Sequence, residues 1–278
     1  MNPNVSVCVV VTTRDSDRTL RACLESIRSQ STKCELIVVD NASTDHTREI
    51  ALELADSVID TGPERSRQRN VGMLASDADI VGFIDSDMRL EAEVVHQAID
   101  LLLGGSHSVV VPEITIGVGF WAQVSAFERA MYAGSHAIEA PRFFWREEVA
   151  AIGGWDEDMT GAEDWDLAVR SRGLGPRKWT TASIVHDEGR VRLIEVCRKK
   201  AYYSSGVARF VKKHPDDASQ VLFARPWLRQ PSLLLNRLGL GLLVMKSMQA
   251  IFSIQGFAAF EIRRLRTRGV HNGLEQGM

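Results

Sequence analysis

The chain has 278 residues, of which 45% are hydrophobic and 25% charged, an ordinary globular composition that can bury a sizeable core as one large domain, with or without a small appendage. Its four cysteines (Cys8, Cys23, Cys34 and Cys197) show no C-x-x-C spacing, and the start MNPNVSVCVVV lacks a basic segment followed by a long apolar stretch. A reducing, cytosolic location is therefore expected, and nothing argues for secretion. The net charge of −3 hides an asymmetry: residues 1–189 hold 17 Lys/Arg against 31 Asp/Glu, and residues 190–278 hold 16 against 5. An acidic front half suits a site that uses a cation. The basic remainder suits an anionic surface such as phospholipid headgroups or a lipid pyrophosphate, or simply pairs with the acidic part. No nucleic-acid reading motif accompanies the basic residues, so nucleic acid is not an expected partner.

In chain order, VSVCVVVTT (5–13) predicts a strand, DRTLRACLESIRSQ (17–30) a helix with Leu20, Leu24 and Ile27 on one face, and CELIVVD (34–40) a second strand. This is a β-α-β unit with a right-handed crossover. NASTDHTREIALELA (41–55) predicts a helix capped by Ser43, Thr44 or Asp45, VIDTG (58–62) a short strand, RSRQRNVGMLAS (65–76) a helix, and DIVGFIDSD (79–87) a fourth strand. Such alternation argues for an α/β fold with a mostly parallel central sheet and a nucleotide-sized crevice at its carboxyl edge. No G-x-G-x-x-G or P-loop pattern is present, which counts against a dinucleotide-dependent dehydrogenase or a P-loop enzyme.

The fourth strand ends in FIDSDMRL, with Asp85 and Asp87 one residue apart. On an extended segment the two carboxylates project to one side and Ser86 to the other, so a divalent cation and a diphosphate can sit against both acids. Equally, Ser86 or Asp87 would make an N-terminal cap for the helical stretch LEAEVVHQAIDLLL. Further on, GGWDE marks a turn, EDWDLAVRSRG starts a helix with acids in its first turn, and WTTASIVHDEG (179–189) predicts a last strand ending in His186. Residues 190–278 form a basic helical region. Its apolar segment keeps only the 14 residues from Ser247 to Phe260 free of charge, too few to span a bilayer comfortably. Lys246, Gln249, Ser253 and Gly256 form a weakly polar stripe opposite Met248, Ile251, Phe252 and Phe257, with Arg263, Arg264, Arg266 and Arg268 following. That pattern suits helices lying on a membrane, or packed on the catalytic domain or on a second copy in a homodimer.

Taken in order, VSVCVVVTTRD, ELIVVDNASTDHT, RQRNVGMLAS, FIDSD, REEVAAIGGWDE, GAEDWDLAVR and IVHDEG resemble the family 2 glycosyltransferases over roughly residues 5–190. The resemblance implies a GT-A type catalytic domain (1–189) with a helical C-terminal extension (190–278), and an inverting transfer of a sugar from a nucleotide-sugar donor, a UDP-sugar first. The hydroxyl of a glycan or lipid-linked acceptor would receive it at the inner face of the cell membrane. By the same resemblance Thr12, Thr13, Arg14, Asp40, Arg69 and Asn70 meet the nucleotide, and Asp85 and Ser86 border the ribose or the metal. Asp87 and His186 ligate Mn²⁺ or Mg²⁺ with Asp85 beside them. Asp164 is the base that deprotonates the acceptor, with Glu163 in support. Trp155 and Trp165 either stack on a sugar or pack in the core. The chain departs from the family in VVDN, where two acids are common, and in TTRD, where a Pro-Thr-Tyr-Asn type sequence is usual. Two other classes fit an acidic α/β nucleotide site: a sugar nucleotidyltransferase, although TTRDSDRT lacks that class's glycines, and a noncatalytic nucleotide-sugar-binding protein.

Overall fold

The computed structural model describes residues 5–223 and 225–254. From the N-terminus β1 (Val7–Thr13), α1 (Asp17–Arg28), β2 (Glu35–Asp40), α2 (Thr47–Leu54), β3 (Ser57–Asp60), α3 (Arg65–Leu74) and β4 (Ile80–Asp85) alternate. All of β1 is buried, because parallel neighbours flank it and helices cover both faces, which is why its sequence is a continuous β-branched run. The register sets the site: Thr13 lies opposite Asp40 and Thr12 opposite Asp85, so β1, β2 and β4 deliver their last residues to one edge. Leu20, Cys23, Leu24 and Ile27 bury the predicted face of α1. Helix α3 approaches β1 so closely that a Cβ on Gly72 would meet Val10 Cγ1 at 2.4 Å.

The second half adds β5 (Met88–Leu90), α4 (Val94–Leu103), β6 (Ser108–Val110), β7 (Glu113–Val118), α5 (Phe120–Ala130), β8 (Phe143–Trp145), α6 (Arg146–Ala151), α7 (Glu163–Arg170), β9 (Arg177–Trp179) and β10 (Ile184–Arg190). The large sheet runs β3-β2-β1-β4-β8-β6-β9, mostly parallel, with β8 antiparallel between β4 and β6. A small sheet, β5-β10-β7, stands beside it.

Two local expectations change. Asp85, Ser86 and Asp87 are not one extended segment, because β4 ends at Asp85 and a turn through Ser86 and Asp87 leads into β5. Nor does that turn cap a helix: α4 begins at Val94 after Glu93, and the Ser86 hydroxyl bonds the Ser16 hydroxyl instead. Of the three cap candidates before α2, Ser43 bonds Asp40 and Thr44 bonds Asp15 within the loop, while Asp45 Oδ1 accepts the Thr47 amide at the helix start at 3.0 Å.

Beyond β10 follow α8 (Leu193–Lys213), α9 (Pro215–Phe223), α10 (Pro226–Arg229) and a helix, α11, described over Arg237–Ile254. Asp166 of α7 is buried and bonds Lys213, His214 and Arg170, which ties α8 to the catalytic part; its charge is used there rather than as a helix-end acid alone. Helix α11 has mean hydropathy 1.2 and is 28% buried, so by length and composition alone it reaches the threshold for crossing a membrane, a longer apolar span than the charge-free count implied. Its polar stripe faces the protein. Lys246 bonds Glu128, Gln249 is buried, and Leu242 and Met245 pack on Val124, leaving Leu240, Leu243, Val244, Ile251 and Ile254 exposed. Gly256, Phe257, Phe260 and the arginines from Arg263 onward lie outside the described residues.

Candidate active site

The strand ends, the loop before α7, and α5, α8 and α11 enclose one cleft of about 660 Å³. Thr12, Thr13, Arg14, Ser86, Asp85 and Asp87 line it from the sheet edge, Glu163, Asp164, Trp155 and Trp165 from the α7 side, and His186 from the small sheet. Among the described residues, Thr13 Oγ1 is buried there with no hydrogen-bond partner, a polar group available to a ligand.

Arg69 holds the two halves together. Its side chain is 2% exposed, and its guanidinium donates to Asp85 Oδ1 at 2.8 Å and to Asp164 Oδ1 at 3.1 Å while lying 3.7 Å from Glu163 Oε1. The same group lies 4.1 Å from the centroid of the Trp155 ring, a cation–π contact worth about 2 kcal/mol when desolvated. Arg142, placed by the antiparallel insertion of β8, reaches both Asp85 Oδ2 at 3.6 Å and Glu113 Oε1 at 2.5 Å. Burial opposes ionisation of Asp85, but Arg69, Arg142 and Arg65 outweigh it and hold its carboxyl far below the usual range. Glu163, paired with Arg65 at 3.1 Å, has its pKa raised by burial and by the neighbouring Asp164. Asp164 keeps 43% of its side chain exposed.

Asp87 and His186 meet through strand pairing. His186 of β10 lies opposite Met88, the Asp187 amide donates to the Asp87 carbonyl at 2.8 Å, and His186 Nε2 then sits 3.2 Å from Asp87 Oδ2. On the ring's far side Nδ1 is 3.8 Å from Glu113 Oε2, and both atoms are buried without a hydrogen-bond partner. Burial lowers the His186 pKa, but Asp87 and Glu113 outweigh it and raise it. Two ligand atoms 3.2 Å apart suit neighbouring positions on a hard cation, whose oxygen or nitrogen ligands stand roughly 2.1 Å from the metal. With Glu113 behind Nδ1, the ring atom on the Asp87 side is Nε2, the one placed for ligation. Asp87 and His186 therefore fit a divalent cation. Asp85 does not join them: both its oxygens face arginines, and among the described residues no three His, Cys, Asp or Glu side chains converge on one point.

Other expected residues serve the site from behind. The Asp40 carboxylate takes the amide and hydroxyl of Ser43 and is buried; Asn41 lines the cleft in its place. Neither Arg69 nor Asn70 lines the cleft. Asn70 clasps the Trp155 backbone through both its amide atoms, and Gly154, at φ +58°, has no room for a Cβ beside Asn70 Oδ1. Arg65, one helical turn earlier, is the α3 arginine at the cleft wall. Trp155 takes the core-packing reading, with Phe83 edge-on at 5.3 Å and Arg69 over its face. Trp165 is half-buried against Phe210. Sequence reasoning missed Glu113, Arg142 and Arg225, single charged residues in segments without a chemical motif, and Lys200, which is lost in the basic run Arg198–Lys200; only the proline and paired phenylalanines of PRFFW signalled the buried strand that follows Arg142.

A family model described as glycosyl transferase family 2 matches residues 8–149, just over half of the chain. This chain belongs to glycosyl transferase family 2. The glycosyltransferase is similar to the succinoglycan biosynthesis protein ExoA of Rhizobium meliloti (strain 1021), 27% identical over 253 residues that cover 82% of this chain and 74% of that protein. It is 24% identical to the pre-mycofactocin glycosyltransferase of Mycobacterium tuberculosis, and the match spans 78% of this chain and half the length of that relative. In structure it resembles the mannosyltransferase PcManGT from Pyrobaculum calidifontis in complex with GDP-Man and Mn²⁺, with TM-score 0.60 and 20% identity over 98% of this chain and 81% of that one. It also resembles S. aureus TarS 1–349 in complex with UDP-GlcNAc, with TM-score 0.56 and 14% identity over 92% of each chain. Those likenesses establish the GT-A type fold expected of the family.

Proposed function

We propose that this glycosyltransferase moves a sugar from a nucleotide-sugar donor, a UDP-sugar first, to a hydroxyl of a glycan or lipid-linked acceptor in one inverting displacement. The observation that carries the reading is the common cleft onto which Asp87 and His186 on one side and Asp164 on the other converge, with Arg69 joining Asp85 to Asp164. Neighbours of the same fold solved with UDP-GlcNAc and with GDP-Man and Mn²⁺ support the donor class.

In this reading the nucleotide lies along Thr12, Thr13, Arg14 and Asn41. A divalent cation held by Asp87 and His186 supplies Lewis acidity toward the diphosphate. Asp164 takes the acceptor proton as the acceptor oxygen bonds the anomeric carbon and the bond from that carbon to the diphosphate oxygen breaks, which inverts the centre. Arg69 and Arg142 hold Asp85 and orient the floor between the two, while Glu163 and Arg65 brace the first turn of α7, which carries Asp164. The outward apolar residues of α11 dock on an anionic membrane from the cytoplasmic side, keeping acceptor and cleft together.

A transfer assay over UDP-sugars and GDP-sugars, with and without Mn²⁺ or Mg²⁺, tests the proposal. Turnover is expected only with metal and is expected to vanish in Asp87→Ala; metal-independent turnover untouched by that substitution would overturn the cation's role.

A further inference from the structure

At the sheet edge Asp85, Asp87, Glu113, Glu163 and Asp164 each face a basic partner. The part of the cleft where α5, α8 and α11 meet has the reverse balance. Glu128 takes Lys246 Nζ at 2.7 Å and the Tyr132 hydroxyl at 2.6 Å, and Arg225 donates to that hydroxyl at 2.9 Å with its guanidinium 5.2 Å from the ring centroid. Lys200 lines the cleft close enough to feel Lys246, Arg225 and Glu128 and, among the described residues, has no carboxylate partner. Lys200, Arg225 and Lys246 thus gather near the Glu128 carboxylate in the cleft that also holds Asp87 and Asp164. Partly desolvated cations in excess cost stability unless an anion offsets them. Burial, followed by Lys246 and Arg225, brings the Lys200 pKa down to about 8. The planar fork of Arg225 and the ammonium of Lys200 are the groups that recognise phosphoryl oxygens.

We propose that Lys200, Arg225 and Lys246 form a subsite for the phosphoryl group of the acceptor, a phosphate or pyrophosphate ester whose hydroxyl end extends toward Asp164. This rests on the transferase reading and adds the acceptor's chemical class and its anchoring residues. A membrane-embedded isoprenoid pyrophosphate carrying a sugar and a soluble sugar phosphate share that chemistry, each with a sugar hydroxyl beyond its phosphoryl group, and the exposed apolar face of α11 beside the subsite favours the former.

Calorimetric titration of farnesyl pyrophosphate, glucose 1-phosphate and inorganic pyrophosphate into the full chain, with the donor site saturated by nucleoside diphosphate, tests the subsite. At least one phosphoryl probe is expected to bind without displacing the nucleotide. Farnesyl pyrophosphate binding best marks a lipid source, and glucose 1-phosphate a soluble one. Lys200→Met combined with Arg225→Met should weaken binding by about tenfold or more, as loss of charge-assisted contacts implies, while Lys200→Arg retains it. Lys200→Met by itself should leave the Tm unchanged or higher, since the cation it removes lacks a partner. Displacement of the nucleotide by the probe, equal binding by the double variant, or a lowered Tm in Lys200→Met would each overturn the subsite. Failure of the wild type to bind nucleoside diphosphate at all would instead count against the transferase reading.

Discussion

Asp85 and Asp164 share one guanidinium: Arg69 donates to Oδ1 of the first at 2.8 Å and to Oδ1 of the second at 3.1 Å. The end of β4 and the first turn of α7 are thereby one mechanical unit, closed underneath by Trp155.

Arg69→Met removes the buried guanidinium that joins Asp85 to Asp164 and leaves Asp85 to Arg142 alone at 3.6 Å, and removing one partner of a buried pair costs about 3–5 kcal/mol. Urea unfolding should show a lowered midpoint with an unchanged slope. Arg69→Lys should fare little better, because an ammonium cannot bridge two carboxylates and stack on an indole at once. A wild-type midpoint in both variants would contradict the clamp.

Asp164→Asn keeps the shape of the side chain and its contact with Arg69 but cannot accept the acceptor's proton. Transfer is expected to fall by about 10²–10⁴-fold, the usual contribution of a positioned base, while nucleoside diphosphate binding measured by calorimetry stays near wild type. Undiminished transfer would remove Asp164 from the role of base.

Glu113→Gln weakens the hold on the far side of the His186 ring, which faces Glu113 Oε2 at 3.8 Å. Removing such a supporting group lowers metal affinity by about 10–100-fold, so Mn²⁺ titration in the presence of nucleoside diphosphate should show a weaker site. Equal affinity would place Glu113 with Arg142 as a purely structural pair.

The pH dependence of the Lys200 region has two signs. Its pKa is about 8 in the folded chain against an ordinary 10.5, so between those values the unfolded chain binds more protons and stability rises with pH. Anion binding moves the other way, falling as Lys200 loses its charge above about 8. Lys246, Arg225, Glu128 and Tyr132 face it; Glu128 is held below its ordinary range and Tyr132 is pushed up to about 12, both outside the window. Pyrophosphate titrations from pH 7 to pH 9 should weaken in the wild type and stay flat in Lys200→Met.

Replacing Leu240, Val244 and Ile251 together by serine removes apolar surface from the outward face of α11 without touching Lys246 or Gln249. Co-sedimentation with anionic liposomes should drop while thermal stability holds. Unchanged sedimentation would sink the membrane-docking reading.

The sequence by itself determined the parallel half of the sheet, β1, β2 and β4. Val7–Val11, Leu36–Val39 and Ile80–Ile84 are local apolar runs that only a strand buried on both faces explains, and chemistry-bearing residues at their carboxyl ends must share an edge once the strands are parallel. Tertiary structure decided which of those residues reach the cleft. Arg69 and Arg65 are both plausible on one helix by spacing, but the acids that capture Arg69 come from β4 and α7, whose relative placement no local pattern encodes. His186 meets Asp87 because of a strand register, and Asp85 leaves the expected ligand set because Arg142, delivered by an antiparallel insertion, claims its second oxygen. Helix α11 shows the same limit: periodicity separated its polar stripe from its apolar face, but only the Lys246–Glu128 contact shows that the polar side points inward. Periodicity encodes which side chains share a face, whereas packing between distant segments chooses what that face meets.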